Sequence, residues 1–439
     1  MPFQEDRGLE DVPNLLSNGN VASTPWTAQR MNLFLSQKTV LFDADLWTIP
    51  PVSNEANINQ LPVKTEILKL EGDPFPLQCG EVLSGVQVAY ETWGTLNEDK
   101  SNAILLSHAL SGSHHACGYN PDLPEAGGLW KEELHQGWWD AFIGPGKALD
   151  TDRFFIISAN YLGGCYGSTG PRSINPETGA AYGAKFPKIS VVDQVEMQLR
   201  LLESFGIDVL RAAIGPSVGG LVTLTFATLY PDRVRTVIPI ASGMKTTVLN
   251  RLILFEQILA IENDPYFNGG DYYDGPHPDY GLALATMISH KTFVHLDAIE
   301  QRARQEVRQD NETLAWYKVQ DTFQSYMLHQ GKKFVKRFDA NTYLRIIDMW
   351  SRYDACVEAG VDNVGDLFAR CAEHGQKFLV FSIDSDFCFY PEEQAEIVSG
   401  LEASGVDTMH ITVHSDKGHD SFLLEPALYT PHIAYALSS

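Results

Sequence analysis

Residues 209–230 constrain this chain more than any other stretch. A short β-type run ending at Ile214 breaks into Gly215-Pro216-Ser217-Val218-Gly219-Gly220, and a helical, apolar-rich segment starts at Leu221. Alone, G-x-S-x-G is a common turn. Placed between a strand and a helix it reads as a nucleophile elbow, with a serine on a strained backbone and glycines that let neighbouring chain approach it closely. The N-terminal amides of the following helix favour negative charge developing at that point.

The bulk composition limits what such an elbow can serve. The chain has 439 residues, 44% of them hydrophobic and 11% aromatic, enough for a large core. Acidic residues outnumber basic ones 56 to 32, a net charge of −24. That balance argues against nucleic acid, whose phosphates are bound by Lys and Arg, and against anionic membrane surfaces. Six scattered cysteines (Cys79, Cys117, Cys165, Cys356, Cys371, Cys388) form no C-x-x-C pair. The start of the chain has neither a basic nor an apolar signal region, and no run of roughly 18 apolar residues exists. A cytoplasmic location with small-molecule substrates is expected.

Four segments are expected along the chain. Residues 1–61, rich in Asn, Pro, Ser and Thr, read as a partly irregular N-terminal extension. Residues 62–243 read as the first part of the core. There, 65–70 and 86–92 alternate like half-buried antiparallel strands, whereas 103–107, 154–158 and 237–240 are continuous apolar runs suited to a parallel sheet covered on both faces. A helix is expected over 191–205. Residues 244–368 carry helical patterns only (250–262, 281–290, 296–309, 342–353) and read as an insertion able to act as a lid. Strand character returns at 377–383 and 409–413, so 369–439 completes the core. The fold class is α/β, with a mostly parallel central sheet and a helical lid insertion.

A serine hydroxyl needs a base to take its proton, and the base needs an orienting acid. In a strand–elbow–helix architecture these follow in the order Ser, Asp or Glu, His. The strand at 377–383 ends in Asp384-Ser385-Asp386, and the strand at 409–413 is followed by His414 and His419. Asp386 lies further past its strand than Asp384 and is preferred as the acid. His419 is preferred to His414, which directly follows its strand. Asp384 and Asp386 could also be read as a carboxylate pair for a metal, but no third ligand accompanies them. Adjacent His114 and His115 point in different directions on most backbones and suit a loop role better than a metal site. The oxyanion donors are expected to be the backbone amides of Val218, after the serine, and of Leu110, in the loop after the strand at 103–107.

From about residue 62 onward the chain resembles the homoserine O-acetyltransferase family of the α/β-hydrolase superfamily. The resemblance lies in His108-Ala-Leu-Ser-Gly112, Gly137-Trp-Trp-Asp140, Gly144-Pro-Gly-Lys-Ala-Leu-Asp150, Asn160-Tyr-Leu-Gly-Gly-Cys-Tyr-Gly-Ser-Thr-Gly-Pro171, Ser325-Tyr326, Gln330-Gly-Lys-Lys-Phe334, Arg337-Phe-Asp-Ala-Asn341, Ser385-Asp386 with Tyr390-Pro391, and Gly418-His-Asp420. It implies a ping-pong acyl transfer belonging to methionine biosynthesis. Ser217, activated by His419 and oriented by Asp386, would take an acetyl group from acetyl-CoA (or a succinyl group from succinyl-CoA) and pass it to homoserine. No permanently bound cofactor or metal is implied. Asp420 would hold the substrate ammonium, and the family precedent is a homodimer through the lid helices.

The chain departs from the family pattern at four positions. Pro216 and Val218 replace the usual elbow residues. Thr286 stands where the family places an arginine for the substrate α-carboxylate, and Phe293 where a tyrosine is common. Arg251, Arg302 and Arg337 are the other arginines that could supply the missing charge, and another alcohol acceptor or a simple esterase are the alternative activities.

Overall fold

The computed structural model describes residues 62–70, 74–306, 314 and 316–438, except the side chains of residues 302, 305 and 306. The expected N-terminal extension falls outside the described residues. Among the described residues ten strands occur in chain order: β1 (Glu66–Lys69), β2 (Phe75–Pro76), β3 (Val82–Leu83), β4 (Gln87–Trp93), β5 (Ala103–Leu106), β6 (Phe155–Ala159), β7 (Leu210–Pro216), β8 (Val234–Ile240), β9 (Lys377–Ile383) and β10 (Asp407–Val413). β2 and β3 form a small ribbon of their own, and the other eight make one sheet ordered β1-β4-β6-β5-β7-β8-β9-β10. The β1–β4 and β4–β6 pairs are antiparallel; all the others in the large sheet are parallel. The half-buried alternation of β4 and the wholly buried β5 and β6 follow from these places, one near the edge and the others covered on both faces.

Helices α1 (Val191–Phe205) and α2 (Val218–Leu229) flank β7 in the chain. Nearly every residue of α2 is buried, which explains why it is apolar all round rather than amphipathic. Between β8 and β9 the chain forms α3 (Val248–Glu262), α4 (Asp279–Phe293), α5 (Leu296–Glu306), α6 (Thr322–Phe334), α7 (Ala340–Ser351), α8 (Ala355–Ala359) and α9 (Val364–Glu373). After β9 come α10 (Pro391–Ala403), then α11 (Ser421–Leu424) and α12 (Thr430–Ser438) beyond β10.

Two expectations shift here. The boundary expected at 368 falls inside α9, and α8 and α9 pack on α2 in the layer that covers the sheet. The inserted helices that pack on one another are α3 to α7. β8 starts three residues earlier than its apolar run, because Arg235 is exposed and breaks the hydrophobic signal while Val234 and Thr236 on either side of it pair with β7.

From β5 the chain crosses to β6 on one side, whereas β7, β8, β9 and β10 follow on the other. That reversal leaves a crevice outside the carboxyl ends of β5 and β7, where open α/β sheets bind ligands. The elbow and the loop after β5 both lie there.

Candidate active site

Ser217 follows the last residue of β7 and precedes the first of α2, with φ +57° and ψ −128°. A non-glycine residue there costs on the order of 1–3 kcal/mol and persists only where its surroundings hold it. The Ser217 amide donates to the Ile240 carbonyl at 2.9 Å, and the Ser217 carbonyl accepts from the Gly220 amide at 2.9 Å. The first of these bonds extends the β7–β8 ladder, so Pro216 does not interrupt it despite lacking an N–H. A Cβ on Gly219 would stand 2.4 Å from the Ser107 carbonyl oxygen, so only glycine lets the elbow rest on the loop after β5. In that loop the Gly112 amide closes a turn on the Ala109 carbonyl at 3.0 Å, leaving the Leu110 amide outside the turn's own hydrogen bond. The Val218 amide is the first of α2, and such amides have no partner within their helix. The Val218 amide thus opens the helix at the elbow, and the Leu110 amide lies in the loop on which Gly219 rests.

Asp386 and His419 come together on the loops after β9 and β10. His419 Nδ1 and Asp386 Oδ2 are 2.7 Å apart, both side chains almost wholly buried. The other carboxylate oxygen accepts from the Cys388 and Phe389 amides at 2.7 and 2.9 Å, which fixes the acid. With Nδ1 bonded to the carboxylate, Nε2 is the free face of the ring. It is buried without a hydrogen-bond partner among the described residues. Burial opposes the charged imidazolium, but the Asp386 charge and hydrogen bond, reinforced by Asp420 and Glu393, outweigh it and raise the His419 pKa above its ordinary value.

The rejected alternatives pair with each other. His414 Nδ1 and Asp384 Oδ2 are 2.7 Å apart on the surface, so the two aspartates serve separate histidines. His115 is buried against Glu91 at 2.7 Å, and His114 meets the Thr65 hydroxyl at 2.9 Å. These neighbouring histidines tie the β4 region to the loop after β5. All six cysteines are free thiols.

A cavity of about 330 Å³ opens between the core loops and the inserted helices. Leu110, Ser111, Glu133 and Asp420 line it from the core, and Thr286, Ser289, His290 and Phe293 from α4. Phe293 also faces the His419 ring at 5.9 Å between centroids. The α4–α5 junction rests on the histidine loop, since the His295 amide reaches the Lys417 carbonyl at 3.4 Å. Ser289, Tyr343 and Gln257 form a hydrogen-bonded back wall, each contact within 2.9 Å.

Comparison with known proteins accords with this geometry. A family model for the α/β-hydrolase fold matches residues 102–426. A homoserine O-succinyltransferase of Alkalilimnicola ehrlichii is 42% identical over 82% of this chain and 90% of its own length. The chain belongs to the homoserine O-acyltransferase family. A homoserine O-acetyltransferase of Methanohalobium evestigatum is also 42% identical, covering 80% of this chain and 68% of that protein. The crystal structure of esterase E22, 28% identical, matches with a TM-score of 0.76 over 85% of this chain and 100% of that one.

At Thr286, where the resemblance implies an arginine, the side chain is engaged locally. The Thr286 hydroxyl donates to the Leu282 carbonyl one helical turn back at 3.0 Å, so its polar group is spent on the helix itself. Arg251 is exposed on α3 and does not line the cavity, and the Arg302 side chain lies outside the described residues. Arg337 does line it, together with Lys333. Sequence reasoning saw both inside family motifs without giving either a role beyond the possible charge of Arg337. It missed Glu133, which bridges them, because that residue lies far away in the chain. It also missed Glu393, whose burial pushes its pKa up to about 7 and whose Oε2 has no hydrogen-bond partner among the described residues.

Proposed function

We propose that the protein transfers an acyl group, acetyl or succinyl, from its CoA thioester to the side-chain hydroxyl of homoserine through an acyl-serine intermediate. The observation that carries this reading is the buried Asp386–His419 pair, 2.7 Å apart, at the same end of the sheet as the strained Ser217 and joined to the helix-roofed cavity through Asp420 and Phe293, which line it. Ser217 Oγ would attack the thioester carbonyl and give its proton to His419 Nε2. The oxyanion would be met by the Val218 and Leu110 amides. Collapse breaks the carbon–sulfur bond, and the leaving thiolate takes the proton from His419. The homoserine hydroxyl then loses its proton to His419 and attacks the acyl-serine ester, and Ser217 leaves with that proton. Asp420, beside His419 and on the cavity wall, suits the acceptor's ammonium. The roof of α4 and α6 would keep out the water that otherwise hydrolyses the intermediate.

Equally similar relatives carry the two donor names, so both donors belong in the test. Purified protein mixed with acetyl-CoA or succinyl-CoA is expected to release thiol steadily only when homoserine is added. The resemblance to esterase E22 favours one second reading, hydrolysis by the same three residues. Steady thiol release that ignores every amino-acid acceptor would establish it and remove the transferase.

The inserted helices also support a homodimer. On α3, Val248, Leu252, Phe255 and Leu259 share one face and are 75%, 56%, 54% and 41% exposed, and Tyr280 and Leu284 on the packed neighbour α4 add to the patch. An apolar patch of this kind on a folded surface supports contact with another protein surface. The double substitution Leu252→Glu, Phe255→Glu is expected to give a monomer by light scattering where the parent is a dimer. An unchanged mass for the variant would remove α3 from the interface.

A further inference from the structure

We propose that Arg337, backed by Lys333, holds the α-carboxylate of the acceptor, in the role left open by Thr286; the inference rests on the amino-acid acceptor proposed above. A carboxylate drawn into a cavity needs a cation there, and a guanidinium fork fits it better than any other side chain. Thr286 supplies no charge, and its hydroxyl is already bonded to its own helix. Lys333 and Arg337 are the lysine and arginine among the residues lining the cavity.

Arg337 is set in place before any ligand arrives. Its Nε lies 3.0 Å from Glu133 Oε1, its NH1 donates to the Ser111 carbonyl at 3.3 Å, and its guanidinium lies over the Phe334 ring at 4.8 Å. Ser111 adjoins Leu110, so the cation stands beside the loop that supplies an oxyanion donor. The side chain is 19% exposed, enough to meet a ligand and little enough to limit screening by water. The other oxygen of Glu133 lies 3.0 Å from Lys333 Nζ. A carboxylate thus already sits between these two cations, and the trio keeps one positive charge in surplus. Asp420 lines the same cavity from the loop after β10. The lining therefore offers an acidic corner at Asp420 and, at Glu133, Lys333 and Arg337, a corner of net positive charge, the complement of a zwitterion. Glu133 competes with the substrate for the same donors.

The test compares kcat/KM for homoserine with that for 2-amino-1,4-butanediol, which keeps the amine and the hydroxyl and lacks the carboxylate. Arg337→Met is expected to lower the homoserine-to-diol ratio roughly 10- to 100-fold, the worth of a charge-assisted hydrogen bond, and Arg337→Lys to recover part of it. Glu133→Gln is expected to lower the homoserine KM, a direction that loss of structural support would not produce. If Arg337→Met does not fold, Lys333→Met is measured with Glu133→Gln, since these two side chains are 51% and 27% exposed. A ratio unchanged by these substitutions overturns the proposal. So does a selective loss of succinyl-CoA relative to acetyl-CoA, which would give the cation to the donor. A parent protein with no acceptor-dependent thiol release overturns the transferase reading itself, so the two failures are told apart.

Discussion

Replacing Ser217 by alanine is expected to abolish the acyl-enzyme and lower kcat/KM by roughly 10⁴- to 10⁶-fold, the loss seen when a nucleophile of this kind is removed. The hydroxyl is the only group lost. The amides of Val218 and Leu110 and the Asp386–His419 pair all remain, so the residual rate measures what the rest of the site does without covalent chemistry. Intact-protein mass spectrometry after mixing with acyl-CoA should show one added acyl group on the parent and none on the variant. An adduct that persists in Ser217→Ala would move the nucleophile elsewhere. Stability gives a second readout. Ser217 holds φ at +57°, and alanine would inherit the strain whereas glycine would not. The relief of about 1–3 kcal/mol exceeds the entropy cost of glycine, about 0.5–1 kcal/mol, so Ser217→Gly should be inactive yet more stable by about 1 kcal/mol.

Asp386→Asn should lower kcat by roughly 10⁴-fold while keeping the fold, because asparagine retains an oxygen for the Cys388 and Phe389 amides but presents His419 Nδ1 with the wrong partner. The pH profile supplies the sign. His419 acts as a base only when neutral, and its pKa lies above 6.5 because the aspartate charge outweighs burial. Activity in the parent should therefore fall as the pH drops through a value above 6.5. In the asparagine variant burial stands unopposed by Asp386, and the residual activity should lose that limb toward lower pH. Stability runs the other way. A histidine whose pKa is raised by folding contributes stability that is complete below its unfolded pKa and lost as the pH rises through the folded one. Asp386→Asn should thus cost more stability in acid than in alkali. An acid limb at the same pH in both proteins would separate Asp386 from the base.

Much of this site was legible in the chain. The strand, the glycines and the helix around Ser217 are consecutive, and the conformations they favour depend mainly on near neighbours. The apolar runs at β5, β6 and β9 read clearly because those strands are covered on both faces. The ribbon of β2 and β3 escaped notice, with two residues per strand and no period to detect. α6 was not named as a helix, since Gly331 interrupts its interior and much of its surface is polar. The end of the insertion was misplaced for a related reason: α8 and α9 look helical like the lid, and only their packing on α2 assigns them to the sheet layer.

By itself the sequence placed a serine on a strand-to-helix elbow, followed in order by acids and histidines on loops after two later strands. Those facts are set by local conformational preference and chain order, which need no knowledge of distant residues. The preference for Asp386 over Asp384 and for His419 over His414 was already legible from their distance past the strands, and the tertiary structure decided what becomes of the other acid and histidine. Asp384 and His414 pair at the surface while Asp386 and His419 pair in the interior, a difference in burial that only the packing of the loops after β9 and β10 sets. The charge of the cavity was decided in the same way. Glu133, Lys333 and Arg337 converge from the core and the inserted helices, and the energy of an ion pair depends on separation in space and exclusion of water.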